Sequence, residues 1–116
     1  MSKDLTIFHN PRCTKSRQTL QIIEEAGRNV TVAKYLEDSL SADEIKEILS
    51  KLNMAAEDIV RKGEKTYKEH FKGKTMSEDE WIQAMVEYPI LIERPIVVKG
   101  NKAVIGRPPE NVRLLL

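Results

Sequence analysis

The 116-residue sequence is poor in cysteine, since it contains a single thiol, Cys13. One cysteine excludes an internal disulfide, so nothing indicates secretion and we expect a reducing cytoplasm. No metal-ligand cluster is visible in the sequence, and we expect no bound metal. The chain also lacks an excess of either charge, with 19 basic and 18 acidic residues and a net charge of +1. This balance argues against a general nucleic-acid or membrane surface, which needs a basic excess.

Long apolar runs are absent as well. No stretch approaches the roughly 20 apolar residues that a membrane-spanning helix needs, and no signal peptide is expected before Leu5. Internal repeats and low-complexity linkers are also missing, and a chain of this length suits one domain with a modest core. We therefore predict a single domain over residues 1–116, acting as a cytoplasmic monomer with neither a nucleic-acid nor a membrane partner.

The first third of the chain has the pattern of a βαβ unit. Leu5–Phe8 predicts a short buried strand. Residues 14–26 place their apolar side chains on one helical face, with Gly27 as the expected C-cap. Residues 30–35 are rich in β-branched side chains and predict a second strand. A strand, a helix and a strand within some thirty residues imply two parallel strands joined by a crossover helix.

Two capping boxes open the helices of the middle segment. Ser41 with Glu44, and Ser77 with Glu80, have the spacing at which a serine and a glutamate satisfy the first turn of a helix. Between these boxes, residues 55–71 look mostly helical. We predict a helical insertion over about residues 41–88.

The end of the chain returns to strand patterns. Residues 96–98 and 103–105 are mostly β-branched and flank Gly100-Asn101, a two-residue hairpin signal. Pro108-Pro109 then suits the start of a short terminal helix. The order βαβ, helical insertion, ββα is that of a thioredoxin-like fold. We predict an α/β protein with a four-stranded mixed sheet.

Cys13 lies where the first strand gives way to the first helix. Unpaired backbone N–H groups and the helix dipole favour an anion at that position. Arg12, Lys15 and Arg17 add positive charge nearby in the sequence. Because such surroundings lower the pKa of a thiol, and the thiolate is the nucleophile, we predict a reactive Cys13 rather than a structural one.

Three polar residues near Cys13 are candidates for supporting it. Ser16 completes a Cys-x-x-Ser motif, and its hydroxyl can either bond the thiolate or serve the start of the helix. A hydroxyl cannot resolve a mixed disulfide, so turnover must take electrons from an outside thiol. His9 can act as an imidazolium beside the thiolate or stay neutral and hydrogen-bonded, and Asn10 belongs to the turn that follows the strand.

These residues resemble a known family. The segment His9-Asn10-Pro11-Arg12-Cys13-x-x-Ser16-Arg17 resembles the active-site stretch of the glutaredoxin-coupled arsenate reductases, an ArsC-like family of the thioredoxin-fold superfamily. Residues 59–64, 91–97 and 104–110 resemble three further family segments in the expected order. The resemblance implies that Cys13 attacks arsenate and that three arginines hold the oxyanion: Arg61, Arg94 and Arg107. Their forked guanidinium donors suit a tetrahedral oxyanion.

The resemblance also implies how the reaction ends. Glutathione, a co-substrate, attacks the thioarsenate adduct on Cys13, arsenite departs, and glutaredoxin reduces the remaining Cys13–glutathione disulfide. No bound cofactor is implied. The resemblance further implies that the Arg94-Pro95 peptide bond is cis and that Pro95 faces the reactive cysteine, with Arg17 among the supporting residues.

Two other functions share this fold. A glutathione-dependent thiol reductase would act on another substrate, although the helical insertion and the three arginines argue against it. A Spx-type regulator would bind RNA polymerase, but such proteins generally use a Cys-x-x-Cys switch, which Ser16 removes. The sequence leaves both alternatives open.

Overall fold

A computed structural model describes residues 4–116 of the chain. Residues 1–3, which belong to the stretch where no signal peptide is expected, lie outside the described residues. The described chain forms two compact units. The first contains residues 4–38 and Arg94–Leu116, and the second contains Ser39–Glu93. The predicted insertion falls within the second unit, and the single-domain organisation stays a prediction.

The first unit is built on a four-stranded mixed sheet. Its strands are β1 (Leu5–Phe8), β2 (Val30–Ala33), β3 (Ile96–Lys99) and β4 (Lys102–Ile105), in the order β2-β1-β3-β4. β1 pairs parallel with β2 and antiparallel with β3, and β3 pairs antiparallel with β4. This confirms the predicted thioredoxin-like α/β fold.

β2 is shorter than predicted. It ends at Ala33 because the carbonyl of Lys34 accepts hydrogen bonds from the backbone of Glu37 and Asp38, both at 3.0 Å, and so belongs to a turn. The sequence pattern had extended the strand to Tyr35, a β-forming residue that is instead buried in this turn. Strand propensity alone does not locate the turn.

Helix α1 (Thr14–Glu25) connects β1 to β2. Its C-cap is Ala26, one residue before the predicted C-cap Gly27, which follows in the left-handed region at φ 71°. Glycine adopts this conformation without a Cβ penalty and so ends the helix. The core of this unit joins α1 to the sheet and to the C-terminal segment through six buried side chains: Leu5, Ile7, Ile23, Val97, Val112 and Leu115.

One end of the sheet collects residues that are far apart in sequence. Phe8 at the end of β1 pairs with Ile96 at the start of β3, and Ile96 pairs with Ile105 at the end of β4. The segments that leave β1, enter β3 and leave β4 therefore meet at the same end. They carry four of the residues singled out from the sequence: Cys13, Arg94, Pro95 and Arg107.

The C-terminal part follows the predicted order. Gly100 and Asn101 form the two-residue turn between β3 and β4, and Gly100 has a φ of 61°. A 3₁₀ helix, Pro109–Leu115, closes the chain. The Arg94-Pro95 bond is cis, as expected, and the Arg107-Pro108 bond is also cis, which the sequence did not indicate.

The second unit is helical. It contains α2 (Ala42–Leu52), α3 (Lys65–His70) and α4 (Glu78–Glu87), with short 3₁₀ helices at Ala56–Ile59 and Pro89–Leu91. Both predicted capping boxes form, at the starts of α2 and α4. Among residues 4–116, no helix is long and apolar enough to cross a membrane.

The segment 55–71 is less helical than predicted. After its 3₁₀ helix the backbone is extended at Val60, which forms an antiparallel bridge with Ile92, and Lys62 and Gly63 then form a turn. The N–H of Arg61 also donates to the carbonyl of Leu91 at 2.7 Å. This pairing uses residues some thirty positions away, so a local helical pattern could not reveal it.

Candidate active site

The turn between β1 and α1 is held by Asn10, which is buried. Its side-chain Oδ1 accepts a hydrogen bond from the N–H of Arg12 at 3.0 Å, and its carbonyl accepts one from the N–H of Cys13 at 3.0 Å. Its own N–H donates to Ser16 Oγ at 3.1 Å. These three bonds fix the backbone of Cys13 as the N-cap residue of α1.

The surroundings of Cys13 favour the thiolate. The side chain makes no capping hydrogen bond to α1, but two N–H groups of its first turn stabilise the charged sulfur. Burial raises the pKa of the thiol, whereas the backbone N–H of Ser16, the side chain of Arg94, the backbone N–H of Lys15 and the charge of Arg107 lower it. The lowering effects prevail, so the pKa lies below the ordinary value of a cysteine.

Arg107 connects the sulfur to the segment that enters β3. Its Nη2 donates to Cys13 Sγ at 3.4 Å, and its Nε donates to the carbonyl of Arg94 at 2.7 Å. The amide of Asn111 donates to the carbonyl of Arg107 at 3.0 Å and further fixes this backbone. The structure thus brings together three predicted site residues, Cys13, Arg94 and Arg107.

His9 and Ser16 form a buried pair behind the turn. His9 Nδ1 and Ser16 Oγ are 2.6 Å apart, and Ser16 is fully buried. Burial lowers the pKa of His9, and the charges of Lys34 and Arg17 lower it further. His9 is therefore the neutral, hydrogen-bonded residue of the two alternatives. The Ser16 hydroxyl forms hydrogen bonds with the His9 ring and the Asn10 N–H, while the Ser16 backbone N–H stabilises the thiolate.

Arg17 and Lys15 were expected to act on the thiol through their charges, but their contacts in the structure are different. The guanidinium of Arg17 donates to the carbonyl of Pro11 at 2.8 Å and to Thr14 Oγ1 at 3.3 Å, so it braces the turn. Lys15 stabilises the sulfur through its N–H, while its side chain is exposed. The charged groups that lower the Cys13 pKa come from positions 94 and 107, because the sheet places those segments beside the turn.

Pro95 lies in close contact with Gly106, a residue that the sequence did not single out. The N–H of Gly106 donates to the carbonyl of Pro95 at 2.9 Å. A Cβ on Gly106 would lie 2.8 Å from Pro95 Cγ and 2.5 Å from Thr19 Oγ1. A side chain at position 106 would therefore push apart the segments that carry Arg94 and Arg107. The position of this glycine, directly between a strand and an arginine, was the available signal.

Arg61 lies in the second unit. Its Nε donates to Glu64 Oε2 at 3.2 Å, and its Nη1 donates to Glu93 Oε1 at 2.8 Å. Burial lowers the pKa of Arg61, but Glu93 and Glu64 outweigh this effect and raise it. The two carboxylates hold the guanidinium in a fixed orientation. The part of Arg61 in oxyanion binding stays a prediction.

In the first unit, the guanidinium groups of Arg94 and Arg107 stabilise the thiolate of Cys13. A thiolate is a strong nucleophile, and guanidinium groups bind oxyanions through forked donors. In the described part of the chain, no three His, Cys, Asp or Glu side chains lie together as a metal site requires. The arrangement is suited to nucleophilic attack on an electrophile that carries anionic oxygens.

Comparisons with known proteins show which family the chain resembles. The profile of the ArsC family matches residues 8–115. The chain is 40% identical over 115 residues to an arsenate reductase of Neisseria meningitidis serogroup A, covering 97% of this chain and 98% of that protein. It is 46% identical over 114 residues to the uncharacterised Escherichia coli protein YfgD, covering 97% of this chain and 96% of that protein. A solved arsenate reductase structure from Vibrio cholerae has 42% identity and a TM-score of 0.95, with 100% of both chains covered.

Proposed function

The chain belongs to the ArsC family, and on that premise we propose that it is an arsenate reductase, an oxidoreductase that converts arsenate to arsenite. One observation carries the proposal: Cys13 Sγ lies 3.4 Å from Arg107 Nη2 and is also stabilised by the side chain of Arg94. The names of relatives at 40% and 42% identity support the choice of arsenate.

The first step is attack of the Cys13 thiolate on arsenic(V). An As–S bond forms, and one arsenate oxygen takes up protons and leaves as water. Nucleophile and substrate are both anionic, so the attack needs positive charge beside the sulfur. Arg94 and Arg107 supply it, and we assign Arg61 to the remaining arsenate oxygens.

The second step uses an outside thiol, because Cys13 is the chain's single cysteine. The glutathione thiolate forms an S–S bond with Cys13 Sγ, and the electron pair of the As–S bond stays with arsenic, which leaves as arsenite. The two sulfurs each lose one electron and arsenic gains two. Glutaredoxin then reduces the Cys13–glutathione disulfide and regenerates the thiolate.

The proposal is tested by measuring arsenite release with arsenate, glutathione and glutaredoxin. Wild-type protein should turn over, and Cys13→Ser should retain its circular dichroism spectrum while arsenite release disappears, because a hydroxyl is a far poorer nucleophile. Turnover by Cys13→Ser would refute the thiolate mechanism. Reduction of glutathione mixed disulfides without any arsenite release would favour the thiol-reductase alternative.

A further inference from the structure

The two segments that meet at Cys13 carry no carboxylate side chain. Residues 9–23 and 94–109 contain no Asp or Glu, although 18 acidic residues occur elsewhere in the chain. The same segments contain seven cations: Arg12, Lys15, Arg17, Arg94, Lys99, Lys102 and Arg107. Lys99 and Lys102 flank the turn at the other end of the sheet, so five of these cations belong to the end that holds the thiol.

The five cations near the thiol differ in their contacts. Arg94 and Arg107 act on the sulfur, and Arg17 is used in bracing the turn. Arg12 and Lys15 are exposed, and within residues 4–116 neither side chain forms an ion pair. These two charges are therefore directed to solvent and available to a ligand.

The backbones of Arg12 and Lys15 are fixed close to the sulfur. The N–H of Arg12 donates to Asn10 Oδ1 at 3.0 Å, and the N–H of Lys15 stabilises the Cys13 thiolate. Both side chains thus begin beside Cys13, and both residues are exposed. A molecule whose sulfur meets Cys13 would place its own outer groups within reach of these two cations.

We propose that Arg12 and Lys15 recognise the carboxylates of the thiol co-substrate, which makes them specificity residues for glutathione over uncharged thiols. This inference rests on the proposed function and deepens it. Glutathione has a central thiol and a carboxylate toward each end, which matches a sulfur flanked by two cations. Its thiolate form carries a net negative charge, so the two cations also reduce repulsion as it approaches an anionic adduct.

The test is thiol–disulfide exchange, which requires no arsenate. The Cys13 thiolate attacks oxidised glutathione, the glutathione S–S bond breaks, one glutathione remains on Cys13 and the other leaves as a thiolate. Intact-mass spectrometry gives the rate, and the rate with bis(2-hydroxyethyl) disulfide serves as the neutral reference. Dividing the two rates removes any change in the intrinsic reactivity of the thiolate.

The wild-type rate ratio should favour oxidised glutathione and should fall as salt is raised, because salt screens exposed charges. In the Arg12→Glu, Lys15→Glu double variant the ratio should drop by roughly tenfold, since one exposed ion pair contributes up to about fivefold. The cationic disulfide cystamine should show the opposite change. Lys102→Glu reverses one charge on the hairpin at the other end of the sheet. It is the matched control for the single variants Arg12→Glu and Lys15→Glu, and it should leave the ratio unchanged.

An unchanged ratio in the double variant would overturn the proposal, and so would a wild-type ratio that is independent of salt. The salt measurement uses wild-type protein and does not depend on the variant folding. A protein that exchanges selectively but releases no arsenite would retain this inference and refute the proposed function. A protein that releases arsenite but exchanges without selectivity would support the proposed function and refute this inference.

Discussion

The pKa of Cys13 depends on residues that are distant in sequence and close in space. Arg107, 94 positions away, reaches its sulfur, and Arg94 also stabilises the thiolate. The adjacent Arg17 instead braces the turn through Pro11. At the scale of single residues, the two arginines therefore lower the pKa of the Cys13 thiol, and we propose that they also bind the oxyanion.

We expect Arg107→Ala to raise the pKa of Cys13 towards its ordinary value, because the variant removes a positive charge and a donor from the thiolate. The pH midpoint of alkylation by iodoacetamide should therefore move upward. Arg113→Ala, at an exposed arginine of the terminal 3₁₀ helix, is the matched control and should leave the midpoint unchanged. Identical midpoints in wild type and Arg107→Ala would show that the contact at 3.4 Å does not stabilise the thiolate.

Alanine at Arg61, Arg94 or Arg107 should each lower kcat/KM for arsenate. A charge-assisted hydrogen bond contributes roughly 1.5–3 kcal/mol, so we expect losses of about tenfold to a hundredfold from steady-state kinetics. Lysine at position 94 or 107 should restore part of the loss, because it supplies charge without the fork. Wild-type kinetics in all three alanine variants would remove the oxyanion site from the mechanism.

The elements that form the site are joined by a tight contact and not by charge alone. Gly106 follows β4 and approaches both Thr19 of α1 and Pro95, which precedes β3. This contact ties the helix that carries the thiol to both arginine-bearing segments. The elements can lie this close together because position 106 has no side chain.

Gly106→Ala should lower the free energy of unfolding by about 1–3 kcal/mol, because the new Cβ would overlap Thr19 and Pro95. Urea denaturation measures this change. Gly63→Ala is the matched control, since a methyl group at position 63 would meet no atom within 4 Å and the backbone there is outside the left-handed region. Equal losses in both variants would mean that the close approach at Gly106 does not limit the packing.

For the whole molecule, the number of cysteine thiols available for disulfide exchange decides how the protein can be regenerated. Cys13 is the single cysteine, so the chain cannot store an oxidising equivalent as an internal disulfide. The oxidised state after arsenite release must involve a second molecule. Regeneration therefore depends on an outside reductant.

With arsenate and glutathione but without glutaredoxin, we expect the Cys13–glutathione disulfide to accumulate, because nothing in the chain can reduce it. Intact-mass spectrometry should detect this species, and glutaredoxin should discharge it and restore turnover, whereas thioredoxin should do so poorly. The Cys13→Ser variant should form no adduct. Repeated arsenate turnover without any outside thiol would contradict the scheme.

Local sequence patterns determined most of the elements and the position of the single thiol at a helix start. The strand Leu5–Phe8, both capping boxes and the Gly100-Asn101 turn depend on neighbouring residues, so the sequence predicted them correctly. The position of Cys13 at the start of α1 followed from the same local reasoning. These features could be predicted because hydrophobic periodicity, caps and turn chemistry act over a few residues.

The tertiary structure decided which charges reach the sulfur and where the local patterns stop. Sheet pairing brought Arg107 to Cys13, and the Val60–Ile92 bridge interrupted a predicted helix. The Ser16 hydroxyl turned to His9 because a buried partner was available there. Each outcome depends on a contact between residues separated along the chain, and such contacts are set by the packing of elements and not by the residues beside them.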